Sequence, residues 1–122
     1  YDIVTDANFI SDIVYDNGIG LLFDQAHAEV TSHNLKIDYD EYVNNLPLDK
    51  CYQIHLCKMG YSKLLYSDNF YLAEDQHLPL DHLEITKLKQ ILNKAPLVEY
   101  LTVEYYKNIE GLLNSINLIK NI

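Results

Sequence analysis

Six residues of this sequence stand out as a set that could bind metals or move protons: Asp24, His27, His55, Asp75, His77 and Glu104. Imidazole combined with carboxylate suits iron, zinc or manganese better than calcium. Two histidines with one carboxylate suit ferrous iron, which keeps open positions for oxygen. Glu104 reads as ligand or base, and Asp75 is the second carboxylate expected to take part in catalysis. Each residue also has a plainer role. Asp24 could cap the next segment, His27 could lie in a surface loop and His55 could be a satisfied core histidine. Asp75 could be a helix-start acid, and His77 a bystander before Pro79. Position favours the set over its members, because each group falls at or just beyond the carboxyl end of an expected strand, or in the loop before a helix. Parallel α/β folds, and (β/α)8 barrels above all, gather functional groups at that end.

Periodicity gives the helices and strands that would carry these groups. Cys51 to Cys57 alternates, with Gln53, His55 and Cys57 on one side and Tyr52, Ile54 and Leu56 on the other, which is the pattern of a strand. A buried imidazole and amide on one face need partners such as metal, water or substrate. Upstream, Phe9, Ile10, Ile13 and Val14 form a helical stripe that Thr5 or Asp6 can cap and Asp16-Asn17-Gly18 can end. The run Ile19 to Phe23, closing at Asp24, reads as a parallel strand covered on both faces. Ala28 to Asn34 then leads away. Tyr39, Tyr42, Val43 and Leu46 mark a helix starting at Asp38 or Asp40 and closed by Pro47. Met59 to Lys63 reads as a loop and Leu64 to Tyr66 as a short strand. A long helix runs from Leu80 towards Pro96 with Leu83, Leu88, Ile91 and Leu92 on one face. Leu97 to Glu104 is a strand, and Asn108 caps a final helix striped by Ile109, Leu112, Leu113, Ile116 and Ile119. Helices alternating with strands indicate an α/β fold with a parallel sheet, in one domain spanning residues 1–122.

Composition narrows the function. The chain has 122 residues, 48% of them hydrophobic, enough for one core. Its net charge is −9, and all nine basic residues are Lys. Without Arg it lacks the bidentate fork that grips phosphate and guanine, and its field repels polyanions, so neither nucleic acid nor anionic membrane is an expected partner. Cys51 and Cys57 share a face but lie roughly 20 Å apart at strand rise, too far to bridge. Free thiols point to a reducing, cytoplasmic compartment. Cys57 reads as a small packing residue, and His33 and His82 as exposed bystanders. No apolar run of membrane length and no basic-then-apolar leader occurs. Tyr1 opens the chain in place of Met, as expected of a fragment or a processed chain.

Taken in order, Gly18-Ile19-Gly20-Leu21-Leu22-Phe23-Asp24, Asn34, a leucine-proline turn, Gln53-Ile54-His55-Leu56, Asp75-Gln76-His77 and Thr102-Val103-Glu104 resemble the second half of the multinuclear non-haem iron-dependent oxidase family, which includes the methanobactin biosynthesis oxidase. The resemblance implies the C-terminal part of a xylose-isomerase-like (β/α)8 barrel holding two or three iron ions. Such enzymes oxidise cysteine residues of a ribosomally made peptide with dioxygen, often with a partner protein that presents the peptide. It implies Asp24, His55, Asp75, His77 and Glu104 as metal ligands, with His27 able to join them. The chain departs from the family pattern at Ala26-His27, where paired asparagines are common. It departs again at Cys57-Lys58, where a small residue and Gly are frequent, and at Tyr105, which replaces an acid.

The first half of that barrel, with its own ligands, is not in this chain. Three or four strands cannot close a barrel, so the missing half is expected on the same polypeptide or on a separate chain. Zinc or manganese are the alternative metals. A divalent-metal sugar isomerase or epimerase of the same barrel kind is the neighbouring enzyme, and a non-catalytic, protein-binding barrel remnant is the alternative outside enzymes. Phosphodiester hydrolysis is disfavoured by the missing Arg and the negative charge.

Overall fold

In the computed structural model, which describes residues 3–122, the parallel sheet is built of β1 (Leu21–Asp24), β2 (Cys51–Leu56) and β5 (Tyr100–Val103), in that spatial order. The helices are α1 (Ala7–Asn17), α2 (Gln25–Leu35), α3 (Tyr39–Asn44), α4 (His82–Leu92) and α5 (Ile109–Lys120). Register places Leu22, Gln53 and Tyr100 in one row across the sheet and Asp24, His55 and Thr102 in the next. The backbone N–H of Glu104 donates to Leu56 O (2.9 Å), which carries the pairing one residue past β5 and brings Glu104 beside His55.

One face of this sheet is buried. Phe23, Ile54 and Leu56 pack with Ala28, Val43, Ile85, Leu88 and Ile91 from the helices in a single core. The expectation that β1 is covered on both faces fails, because Leu22, which points the other way, is exposed. Cys51 and Cys57 are both free thiols, as expected, but they do not share a face. Leu21 pairs with Cys51 and Leu22 with Gln53, so the strand gains a residue at Tyr52 and Cys51 turns into the core.

Side-chain caps set the helix starts. Asp6 accepts from Phe9 N–H (2.9 Å), Asp38 from Glu41 N–H (2.9 Å) and Asn108 from Gly111 N–H (2.8 Å). Gly18 ends α1 at φ 61°, where a side chain would be strained. α4 begins two residues later than its apolar stripe implied, because Asp81 caps it through Leu83 N–H (2.8 Å); Leu83 itself is exposed. Between α2 and α4, Lys87 Nζ lies 2.6 Å from Glu29 Oε2 and 3.9 Å from Glu84 Oε1, with both carboxylates buried. Burial, reinforced by Asp81 and Glu29, pushes the Glu84 pKa up to about 7. No helix among the described residues is long and apolar enough to cross a membrane.

Two expectations change between β2 and α4. The segment read as a loop with one short strand is an antiparallel ribbon, β3 (Lys58–Ser67) and β4 (Phe70–Leu78). It packs on α2, which is a full helix where only a departing segment was expected. Asn34 fastens the two: its carboxamide accepts from Ala73 N–H (2.8 Å) and donates to Ala73 O (3.0 Å). His33, expected to be an exposed bystander, bonds Tyr71 O at 2.9 Å and stacks on Phe70. His82 is exposed.

Candidate metal centre

Five elements deliver the candidate side chains to the end of the sheet where β1, β2 and β5 finish. Asp24 is the last residue of β1 and also the cap of α2, with Oδ1 accepting from His27 N–H at 2.9 Å. The capping role and the candidate ligand role therefore divide between its two oxygens. His27 lies in the first turn of α2 and is mostly exposed. His55 comes from β2, and Glu104 lies just past β5.

Asp75 and His77, expected in a loop, are strand residues of β4. They reach the site because the ribbon is irregular: Lys58 pairs with Leu78 and Gly60 with Glu74, so Asp75, Gln76 and His77 face Met59 alone. His77 holds φ 45°, a left-handed conformation costing on the order of 1–3 kcal/mol in a non-glycine residue. Gln76 folds over Gly60, where a Cβ would meet its Oε1 at 2.0 Å, so a side chain there would displace the Gln76 carboxamide.

The six side chains form a closed ring in which imidazoles and carboxylates alternate. His55 Nδ1 lies 2.8 Å from Glu104 Oε1, and Glu104 Oε2 lies 3.8 Å from His77 Nε2. His77 Nδ1 is 3.3 Å from Asp75 Oδ1, and Asp75 Oδ2 is 3.0 Å from His27 Nε2. His27 Nδ1 is 3.8 Å from Asp24 Oδ2, and Asp24, His55 and Glu104 bring one ligand atom each within 4.8 Å of one another, which closes the circuit. Cys57, Glu104 and His77 form a second such group. Glu104 belongs to both.

Electrostatics in the ring are set by three acids around three imidazoles. Burial opposes a proton on His27, but the hydrogen bond to Asp75 and the charges of Asp24, Asp75 and Glu104 outweigh it and raise its pKa. Burial likewise works to raise Asp75, yet His27 and His77 hold its carboxyl below the usual range. Burial first, then Asp75, Asp24 and Glu104, drive the Cys57 thiol far above its ordinary value. Cys57 Sγ lies 3.6 Å from Asp75 Oδ1, so it is part of the site as well as of the packing.

Other contacts around the ring escaped the sequence. Gln53 Nε2 lies 3.0 Å from His55 Nε2 and donates to Thr102 Oγ1 at 2.9 Å. The exposed Tyr106 ring sits 5.6 Å from the His77 ring. Alternation in β2 put Gln53 on the side of His55, the one signal that pointed to it. Tyr105, where an acid is common, is buried against Gly111, and its hydroxyl accepts from Asn108 Nδ2 at 2.8 Å.

Such a ring can hold divalent cations between carboxylate and imidazole donors. Comparison with known proteins is consistent with this. The sequence model of the family described as RiPP precursor modification enzyme MbnB/TglH/ChrH matches residues 2–110. No curated protein and no solved structure matches the chain.

Proposed function

This chain belongs to the RiPP precursor modification enzyme family MbnB/TglH/ChrH, and from that premise we propose that it acts, with bound metal, on a ribosomally made precursor peptide. Iron in a non-haem centre of two or three ions is the metal we assign, and oxidation of cysteine residues of the peptide is the reaction. The observation that carries the proposal is the closed ring of three imidazoles and three carboxylates at the carboxyl end of a parallel sheet.

The donor set fits such a metal. It offers imidazole nitrogen and carboxylate oxygen, with one thiol at its edge and no lysine within it. Asp24, His55 and Glu104 would hold one ion, and Glu104 with His77 and Asp75 another. When bound, iron supplies electron transfer to dioxygen and a Lewis-acid position for the substrate thiol. The residues do the rest. Asp24 Oδ1 stays with the α2 cap, which fixes the direction of Oδ2. Asp75 Oδ2, 3.0 Å from His27 Nε2, orients the imidazole of His27, the outermost candidate ligand. Cys57, buried at the edge of the centre with Sγ 3.6 Å from Asp75 Oδ1, packs against that carboxylate.

The three-stranded sheet leaves its ring-bearing face open, and β1 and β5 end it as edges. We place it in a closed (β/α)8 barrel whose remaining strands come from the same polypeptide or a separate chain, with a further protein presenting the peptide. Elemental analysis of protein purified without oxygen, together with any chain that copurifies, tests the assignment. Two or more irons per complete barrel, lost in His55→Ala, are expected. A well-folded complete barrel without metal would overturn it.

A further inference from the structure

Gln53 stands on the open face of β2, two residues before His55, and touches the ring through that imidazole. Its Nε2 is 3.0 Å from His55 Nε2 and 2.9 Å from Thr102 Oγ1. An amide nitrogen carries two protons and accepts nothing. With nitrogen in this place, one proton goes to each neighbour, so His55 Nε2 is bare. The proton of the neutral ring then sits on Nδ1, the nitrogen 2.8 Å from Glu104 Oε1. A nitrogen that carries a proton has no lone pair to give a metal.

Half a turn of the amide puts Oε1 where Nε2 was. The oxygen then accepts from His55 Nε2–H and from the Thr102 hydroxyl together, both bonds survive, and the proton has left Nδ1. Thr102 serves either orientation because a hydroxyl both donates and accepts. The register that pairs His55 with Thr102 across β2 and β5 is what keeps the three groups in reach.

We propose that Gln53 is a positioning residue that selects the tautomer of His55, turning its amide nitrogen to the ring in the metal-free protein and its amide oxygen to the ring when a divalent ion is bound. This inference rests on the metal-centre reading above. Outer partners of ligating histidines fix the ring nitrogen that is left for the metal, and their loss typically weakens binding about 10- to 100-fold.

The test is nitrogen-15 NMR of the imidazoles at about pH 8.5, well above the ordinary imidazole range, on the complete barrel, this chain together with whatever supplies its remaining strands, with and without Zn2+ as a diamagnetic probe. Wild type is expected to show His55 protonated at Nδ1 without zinc and at Nε2 with it. Gln53→Glu, which can only accept, is expected to show the Nε2–H form before zinc is added. Gln53→Leu is expected to bind Zn2+ about 10- to 100-fold more weakly, with denaturant unfolding confirming that it is folded. The same tautomer with and without zinc in wild type, or Gln53→Leu binding zinc as wild type does, overturns the proposal. If wild type binds no zinc at all, the metal-centre reading falls. The metal-free spectra then still decide on Gln53: a Gln53→Glu protein with the proton on Nδ1 overturns its role as selector.

Discussion

Phe23, Ile54 and Leu56 are 3%, 0% and 1% exposed, whereas Leu22 and Tyr100, on the other face of the same small sheet, are 49% and 63% exposed. The two faces are built from alternate residues of the same strands, so the difference is not one of local structure. Helices α2, α3 and α4 bury the first face, and that burial fixes the register, since a one-residue slip would exchange the faces. The second face is thereby left to Asp24, Gln53, His55 and Thr102, whose rows are set by the packing behind them. Stability resides on one face and chemistry on the other.

Four substitutions or conditions can break this division. The largest effect is expected from Ile54→Ala, which empties a fully buried position and should lower unfolding free energy by about 2–5 kcal/mol in urea titrations. A cost below about 1 kcal/mol would deny the covered face its role. Next is pH in the metal-free protein. Because the folded-state pKa of Glu84 is raised to about 7, the folded chain binds more protons than the unfolded one between pH 4.5 and 7. Stability should therefore fall across that window as pH rises, by on the order of 2 kcal/mol, and Glu84→Gln should flatten the slope. His55→Ala, one residue from Ile54 but on the open face, should shift the unfolding free energy of the metal-free protein by less than about 1 kcal/mol while abolishing metal retention. The smallest change is expected for Leu22→Thr, within about 0.5 kcal/mol for an exposed position. That holds for this chain alone; in the closed barrel proposed above, where further strands would cover the face, the same substitution should cost about 2 kcal/mol or more.

How much of this is legible in the sequence depends on whether a residue's role is local. Apolar stripes and strand alternation locate α1, β1, β2, α4, β5 and α5 to within a few residues, because burial on one face writes itself into spacing. The family resemblance rests in part on these segments, and it is the family whose model matches residues 2–110. Asp24, His55 and Glu104 are legible as polar side chains on or just past expected strands, whereas Asp75 and His77 are read in a loop and lie in β4. α2 is not, since Ala26, Ala28, Glu29 and Ser32 are buried through neighbours far along the chain and leave little apolar periodicity. The β3–β4 ribbon is hidden for a related reason. Its exposed Leu64, Leu65, Tyr66 and Tyr71 obscure the alternation, and the irregular pairing that turns Asp75 and His77 into the ring is tertiary. Cys57 reads as packing alone because its neighbour Asp75 lies 18 residues away.

The carboxamide of Asn34 bonds both the N–H and the C=O of Ala73, as a neighbouring strand would. Two-stranded ribbons invite a third strand from another molecule, the route by which exposed β edges begin to aggregate. A side chain from the protein's own helix takes up the backbone groups of Ala73 on the outer rim of β4, where a strand of another copy would otherwise bond. One asparagine thus guards an edge as well as fastening a ribbon, on the strand that carries Asp75 and His77.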